Sequence, residues 1–131
     1  MIRIPHHDPV LEAVLQRMVL ARLNELPGVR VWRMNTGGAV DEDEETGRKR
    51  VLKFGVPGQA DISGLMLQPS GVGRRLEVEV KSATGRQREA QRLWQAEIER
   101  YGGLYILART LAEALVPVCE AMGLEYFVEA P

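Results

Sequence analysis

Between Arg74 and Ala108 a strand, a helix and a second strand follow one another without a linker, and this order constrains the fold more than any other feature of the chain. Arg74 to Lys81 (RRLEVEVK) alternates apolar and polar residues over strand length. Thr84-Gly85 then opens a helix from about Arg86 to Tyr101, in which Ala90, Trp94, Ile98 and Tyr101 form an apolar stripe. Gly102-Gly103 ends it, and Leu104 to Ala108 (LYILA) has the composition of a buried strand. A crossover of that length returns the chain in its original direction, so the two strands are expected to be parallel neighbours with a right-handed connection.

The partner on the other side of Arg74 to Lys81 is also legible. Ala60 to Leu67 is a strand-length apolar run, and Gln68-Pro69-Ser70-Gly71 supplies turn chemistry between the two. In an antiparallel hairpin centred near Ser70, facing residues have numbers that sum to about 140. Asp61 then lies opposite Glu79.

Around this centre, Asp8-Pro9 is a cap followed by a first-turn proline. It starts a helix from about Pro9 to Leu26 with Leu11, Val14, Leu15, Met18, Val19, Leu23 and Leu26 at helical spacing. Val29 to Met34 is a strand. The stretch NTGGAVDEDEETGRKR is a long loop or a hairpin arm, followed by a brief strand at Val51 to Phe54. Thr110 and Glu113 form a capping box for a last helix to about Met122, bent at Pro117, and Glu125 to Val128 is an edge strand. The expected fold is α/β, a single domain over 1–131, with a mixed four- to five-stranded sheet flanked by helices.

Composition narrows the function classes. With 131 residues, 45% hydrophobic and 27% charged, the chain is long enough for one real core. The single cysteine, Cys119, excludes an internal disulfide and a Cys-rich zinc site and is expected in the core. No eighteen-residue apolar run exists, and MIRIPHHDP is too short in apolar residues for a signal-peptide core, so no membrane and a cytoplasmic location are expected. The net charge of −1 does not by itself favour nucleic acid. Its distribution does more, because acids crowd into Asp41 to Glu45 while bases cluster at Arg48 to Arg50, Arg74-Arg75 and Arg86, Arg88, Arg92. The acid run lacks EF-hand spacing, and His6 and His7 have no companion ligands and are taken as incidental.

Glu79-Val80-Lys81 is too common a triplet to carry a function alone, since it also describes a surface ion pair on a half-exposed strand. Asp61 changes its meaning. Side chains two apart on a strand share a face, so Glu79 and Lys81 point one way and Val78 and Val80 the other, and Asp61 comes to the same face across the hairpin. Two converging carboxylates need compensation, and magnesium takes one or two carboxylates plus waters, phosphate oxygens and a carbonyl such as that of Val80. Lys81 would orient or polarise the attacking water. Glu77 lies on the same face but farther from the strand end, which favours a structural or supporting role.

Together Gly58 to Gly64 (GQADISG), Glu77 to Lys81 (EVEVK), Gly85, Gln91 and Gly102-Gly103 resemble the VRR-NUC branch of the PD-(D/E)xK nuclease superfamily. The resemblance runs from Glu12 through Val31-Trp32-Arg33 and Asn35-Thr36-Gly37 to the strand at Leu104. It implies a restriction-endonuclease-like core that hydrolyses DNA with magnesium, or manganese in its place. Asp61 and Glu79 would be metal ligands, Lys81 the catalytic lysine, Gln91 the helical glutamine of the site and Glu12 a further metal ligand. Ala60 stands where the superfamily's name has proline, a position that shapes backbone rather than chemistry.

Arg33, Lys53, Arg86, Arg88 and Arg92 are the candidate DNA-binding side chains. Basic residues next to such a site position phosphates without reading sequence. Each helical candidate also has a plainer role: Glu12 as a solvated acid at a helix start, Gln91 as a surface residue, and the arginines as a solvated face interleaved with Glu89. The resemblance implies a stand-alone nuclease acting on branched DNA such as a Holliday junction, working as a homodimer. The alternatives are a catalytically silent module that binds DNA or protein, and a structural subunit of a larger assembly.

Overall fold

The computed structural model describes residues 1–34, 38–53 and 55–131, and the side chains of these outside 38–40, 52 and 53. In chain order the elements are β1 (Ile2–Ile4), α1 (Glu12–Glu25), β2 (Val29–Arg33), β3 (Gly38–Glu42), β4 (Lys49–Lys53), β5 (Ile62–Leu67), β6 (Gly73–Val80), α2 (Glu89–Arg100), β7 (Leu104–Ala108), α3 (Leu111–Met122) and β8 (Tyr126–Val128). Among the described residues the architecture is mixed α/β, with a four-stranded mixed sheet of order β2-β5-β6-β7 and three helices. Among the described residues no helix is long and apolar enough to cross a membrane.

The two strand pairings that matter most are present in the expected register. β5 and β6 are antiparallel with Ile62 opposite Val78 and Leu67 opposite Gly73, so the hairpin turns around Ser70. β6 and β7 run parallel with Val80 beside Ala108, as a helical crossover requires. β2 completes the sheet antiparallel to β5, and two glycines of the GQADISG stretch are fixed by crowding. A Cβ at Gly64 would meet the Arg30 carbonyl oxygen at 2.2 Å, and one at Gly58, where φ is +81°, would meet that of Ala90 at 2.1 Å. Gly58 thus lets the loop before β5 lie directly against the start of α2.

The sheet's two faces are covered unequally. Val31, Ile62, Met66, Leu76, Val78, Val80 and Ile106 are buried beneath Leu15, Val19 and Leu23 of α1 and Leu111, Leu115, Val118 and Cys119 of α3. Burying a side chain of this kind stabilises the fold by about 1.5–3 kcal/mol before chain entropy is set against it. The opposite face carries α2, none of whose residues is buried.

Several boundaries differ from expectation. α1 starts at Glu12 rather than Pro9, with Leu11 as an N-cap that makes no side-chain bond. Asp8 does not cap it because the tail is drawn elsewhere: His7 Nδ1 pairs with the Asp8 carbonyl at 2.7 Å, and its Nε2 accepts the Leu111 N–H at 3.0 Å. His7 is therefore an anchor for the start of α3, not an incidental residue. α2 begins at Glu89 instead of Arg86, because Arg88 stays extended (φ −82°, ψ 162°), and Ala90 and Tyr101 are exposed rather than part of a buried stripe. The long acidic stretch forms an antiparallel hairpin, β3 with β4, apart from the main sheet. Phe54, the expected end of β4, lies outside the described residues. β8 pairs in parallel with β1, a strand not expected at all, and not with the main sheet. Thr110 caps α3 through the Glu113 N–H as expected, and α3 continues through Pro117 to Met122.

Candidate metal centre

Asp61 ends the loop before β5, Glu79 lies in the last two residues of β6 and Lys81 directly follows it, so all three are held at one end of the hairpin by backbone pairing. Asp61 lies one step beyond the Ile62–Val78 pair, its carbonyl accepting the Met34 N–H at 2.8 Å and its Oδ2 accepting the Val80 N–H at 2.9 Å. Lys81 is fixed from the other side, its N–H bonded to the Ala108 carbonyl at 2.9 Å. Strand alternation then does what the sequence implied. Val78 and Val80 enter the core, while Glu79 and Lys81, only 2% and 7% exposed, face a cleft of about 330 Å³.

That cleft is lined by Glu12, by Pro57 to Gln59 and Asp61 of the preceding loop, by Glu79 and Lys81, and by Arg88 and Gln91 at the start of α2. Glu79 Oε1 accepts from Gln91 Nε2 at 2.9 Å and lies 3.5 Å from Lys81 Nζ. Glu79 Oε2 has no partner, and among the described residues it is the single buried side-chain oxygen or nitrogen left so. Burial first, and then the Asp61 carboxylate beside it, push the Glu79 carboxyl up to about 8 despite the lysine. A proton held there is shared with the Asp61 carboxylate, offsets part of the repulsion between the two acids, and occupies the place a cation would take.

A divalent cation fits these residues on that observation. The orphaned Oε2 is an oxygen donor without a donor-bearing neighbour, next to a second carboxylate, and two carboxylates are an ordinary protein share of a magnesium shell. Among the described residues no group of three or more His, Cys, Asp or Glu gathers closely enough to hold a metal alone. Water and phosphate oxygens would have to complete such a shell.

The remaining candidates are placed differently. Glu12 is half-buried at the first position of α1, on the stripe of Leu15, Val19 and Leu23, and reaches the cleft wall. Val80 contributes its N–H to Asp61. Gln91 is half-buried against Glu79: its Oε1 accepts the Arg88 N–H at 2.8 Å while its amide group reaches Glu79. Arg88 lines the cleft, Arg86 is exposed nearby, and Arg92 donates to the Gln87 carbonyl at 2.9 Å, which ties it to the loop before α2. Arg33 lies on the α1 side of the sheet, in a separate small cavity with Gln16, Arg17 and Ile62. Lys53 ends β4, but its side chain lies outside the described ones, as do Asn35, Thr36 and Gly37 altogether.

Two features escaped sequence reasoning. Arg109 donates to the Gly85 carbonyl at 2.7 Å, and Gln87 Nε2 donates to Gln95 at 2.8 Å, so the loop before α2 is pinned both from the residue after β7 and from α2. A larger groove of about 560 Å³ beside β7 and α3 is apolar apart from Glu113 and Tyr105 and brings no two carboxylates together. The chain matches no family model, no curated protein and no solved structure.

Proposed function

We propose that this chain is a metal-dependent deoxyribonuclease of the VRR-NUC branch of the PD-(D/E)xK superfamily, with a restriction-endonuclease-like core. Its substrate is branched DNA such as a four-way junction, and it acts as a homodimer. The observation that carries the proposal is the buried, unpartnered Glu79 Oε2 beside Asp61, with Lys81 on the same Glu79. A buried acid with one oxygen left unsatisfied costs stability, and such a cost is retained where a ligand repays it.

Each side chain then has a task. Asp61 and Glu79 bind, and Asp61 keeps its bond to the Val80 N–H, which holds the carboxylate in place. Gln91 orients Glu79 by its amide hydrogens, leaving Oε2 turned away. Lys81, nearly buried and held by the β6 end, directs an attacking water at the phosphorus and offsets negative charge that grows on the phosphate. The cation, magnesium or manganese, supplies Lewis acidity toward the phosphate. Arg88, on the cleft wall, and the neighbouring Arg86 meet the approaching strand at the mouth. With a net charge of −1 the protein depends on these local bases, and binding should weaken steeply with salt.

The test is a labelled four-way junction incubated with magnesium. Wild-type protein cuts it and Asp61→Ala protein does not. Equal cleavage by the two sinks the proposal, and retention of the junction without any cutting identifies a silent binding module instead.

A further inference from the structure

α2 carries Gln91 to the site, yet packing alone does not define where α2 sits. No residue of the helix is buried, Leu93 is 64% exposed, and only Trp94 and Ile98 among its larger apolar side chains are half-covered. An apolar contact that small tolerates sliding, because dispersion and burial are not directional. Directional bonds must set the helix's register.

They come from the other acid on β6. Glu77 is fully buried, and both its oxygens are engaged: Oε1 accepts from Trp94 Nε1 at 2.5 Å, and Oε2 accepts from the Ser63 hydroxyl and from Arg75 Nη2 at 3.3 Å. Glu77 and Glu79 are two apart on one face of β6, and Trp94 and Gln91 are three apart on one side of α2. Strand and helix therefore meet in two rungs, Glu77 with Trp94 and Glu79 with Gln91. A slip of one residue moves the helix by about 1.5 Å and turns it by roughly 100°, which would break both rungs and strand a buried carboxylate.

We propose that Glu77 and Trp94 are positioning residues: their bond locks α2 in the register that delivers Gln91 to Glu79. This rests on the nuclease proposal for its link to metal, but the lock itself does not. Ser63 and Arg75 complete the support by holding Glu77 on its second oxygen. Gln87, bonded to Gln95 and to the Tyr105 hydroxyl, ties the loop before α2 to the same helix without touching Glu79.

The experiment has two arms. In metal-free protein, Trp94→Phe keeps an aromatic ring at this position and removes the indole N–H. Amide hydrogen exchange should then lose protection along all of α2 by at least tenfold, while the exposed Leu93→Ala leaves it unchanged. Unchanged protection in Trp94→Phe overturns the lock, whatever the protein's activity. In the second arm, calorimetric manganese affinity is measured for Trp94→Phe, Gln91→Ala and the double variant. If Trp94 acts through Gln91, each single variant weakens binding by about 10- to 100-fold and the double variant is no worse than Gln91→Ala. Losses that multiply show a merely structural Trp94 and overturn the positioning role. A wild-type protein that neither binds manganese nor cuts overturns the nuclease proposal and the link to metal, while the first arm still decides the lock.

Discussion

Glu77 and Glu79 stand two residues apart on one face of one strand, and their surroundings could hardly differ more. Glu77 lies under α2, fully buried, with three donors on its two oxygens. Glu79 lies at the strand's end, 2% exposed, with one oxygen satisfied and the other bare, and a carboxylate for a neighbour. The first is an acid the fold has completed. The second is an acid the fold has left open, and the contrast teaches that satisfaction, more than burial, separates a structural carboxylate from a ligand.

The largest effects should fall on the open side. Asp61→Ala and Lys81→Ala should each lower junction cleavage by about 10²–10³-fold or more, with circular dichroism unchanged, since neither side chain belongs to the core. Glu77→Ala should behave in the opposite way. It leaves the Trp94 N–H and the Ser63 and Arg75 donors unpaired and should cost on the order of 3 kcal/mol in urea unfolding. If Glu77→Ala proves neutral in stability, or Lys81→Ala unfolds the protein, the contrast between the two acids is wrong.

A smaller effect sharpens the same contrast through pH. Glu79 has a folded value of about 8 against an ordinary value near 4.5, so the metal-free native state binds the proton more tightly than the unfolded chain. Its contribution to stability is fully present below pH about 4.5 and is lost as pH rises through about 8. Thermal melts in chelator should therefore show Glu79→Gln gaining on wild type between pH 5 and pH 8.5. Parallel curves for the two would remove the case for a strained acid. Smallest of all, Leu93→Ala on the exposed face of α2 should change stability by about 0.5 kcal/mol or less.

How much of this was legible depended on the range of the physics involved. The hairpin between β5 and β6 could be read because the turn at 68–71 fixes facing residues arithmetically, and period-two alternation then separated Glu79 and Lys81 from Val78 and Val80. The helix between β6 and β7 followed from its length and its glycine stops. What failed was long-range or polar. β1 and β8 are three-residue strands at opposite ends of the chain, with no local signal that they pair. His7 caps a helix over a hundred residues away, which also removed Asp8 from its expected place at α1. The spacing of Trp94 fits an apolar stripe, but its indole N–H decides its role, and that depends on a buried acid in another element. Arg33 could not be assigned to a cleft from sequence, since a single alternation step puts it on the α1 side.

That Glu79 holds an oxygen open for a cation beside Asp61 is tested most directly by calorimetry. Manganese titrated into wild-type protein at pH 7, in buffers of different ionisation enthalpy, should bind with net proton release, because metal and proton compete for the same carboxyl. The release should shrink above pH 8 and vanish in Glu79→Gln. Manganese binding without proton release, equal binding by Glu79→Gln, or no binding at all would contradict it.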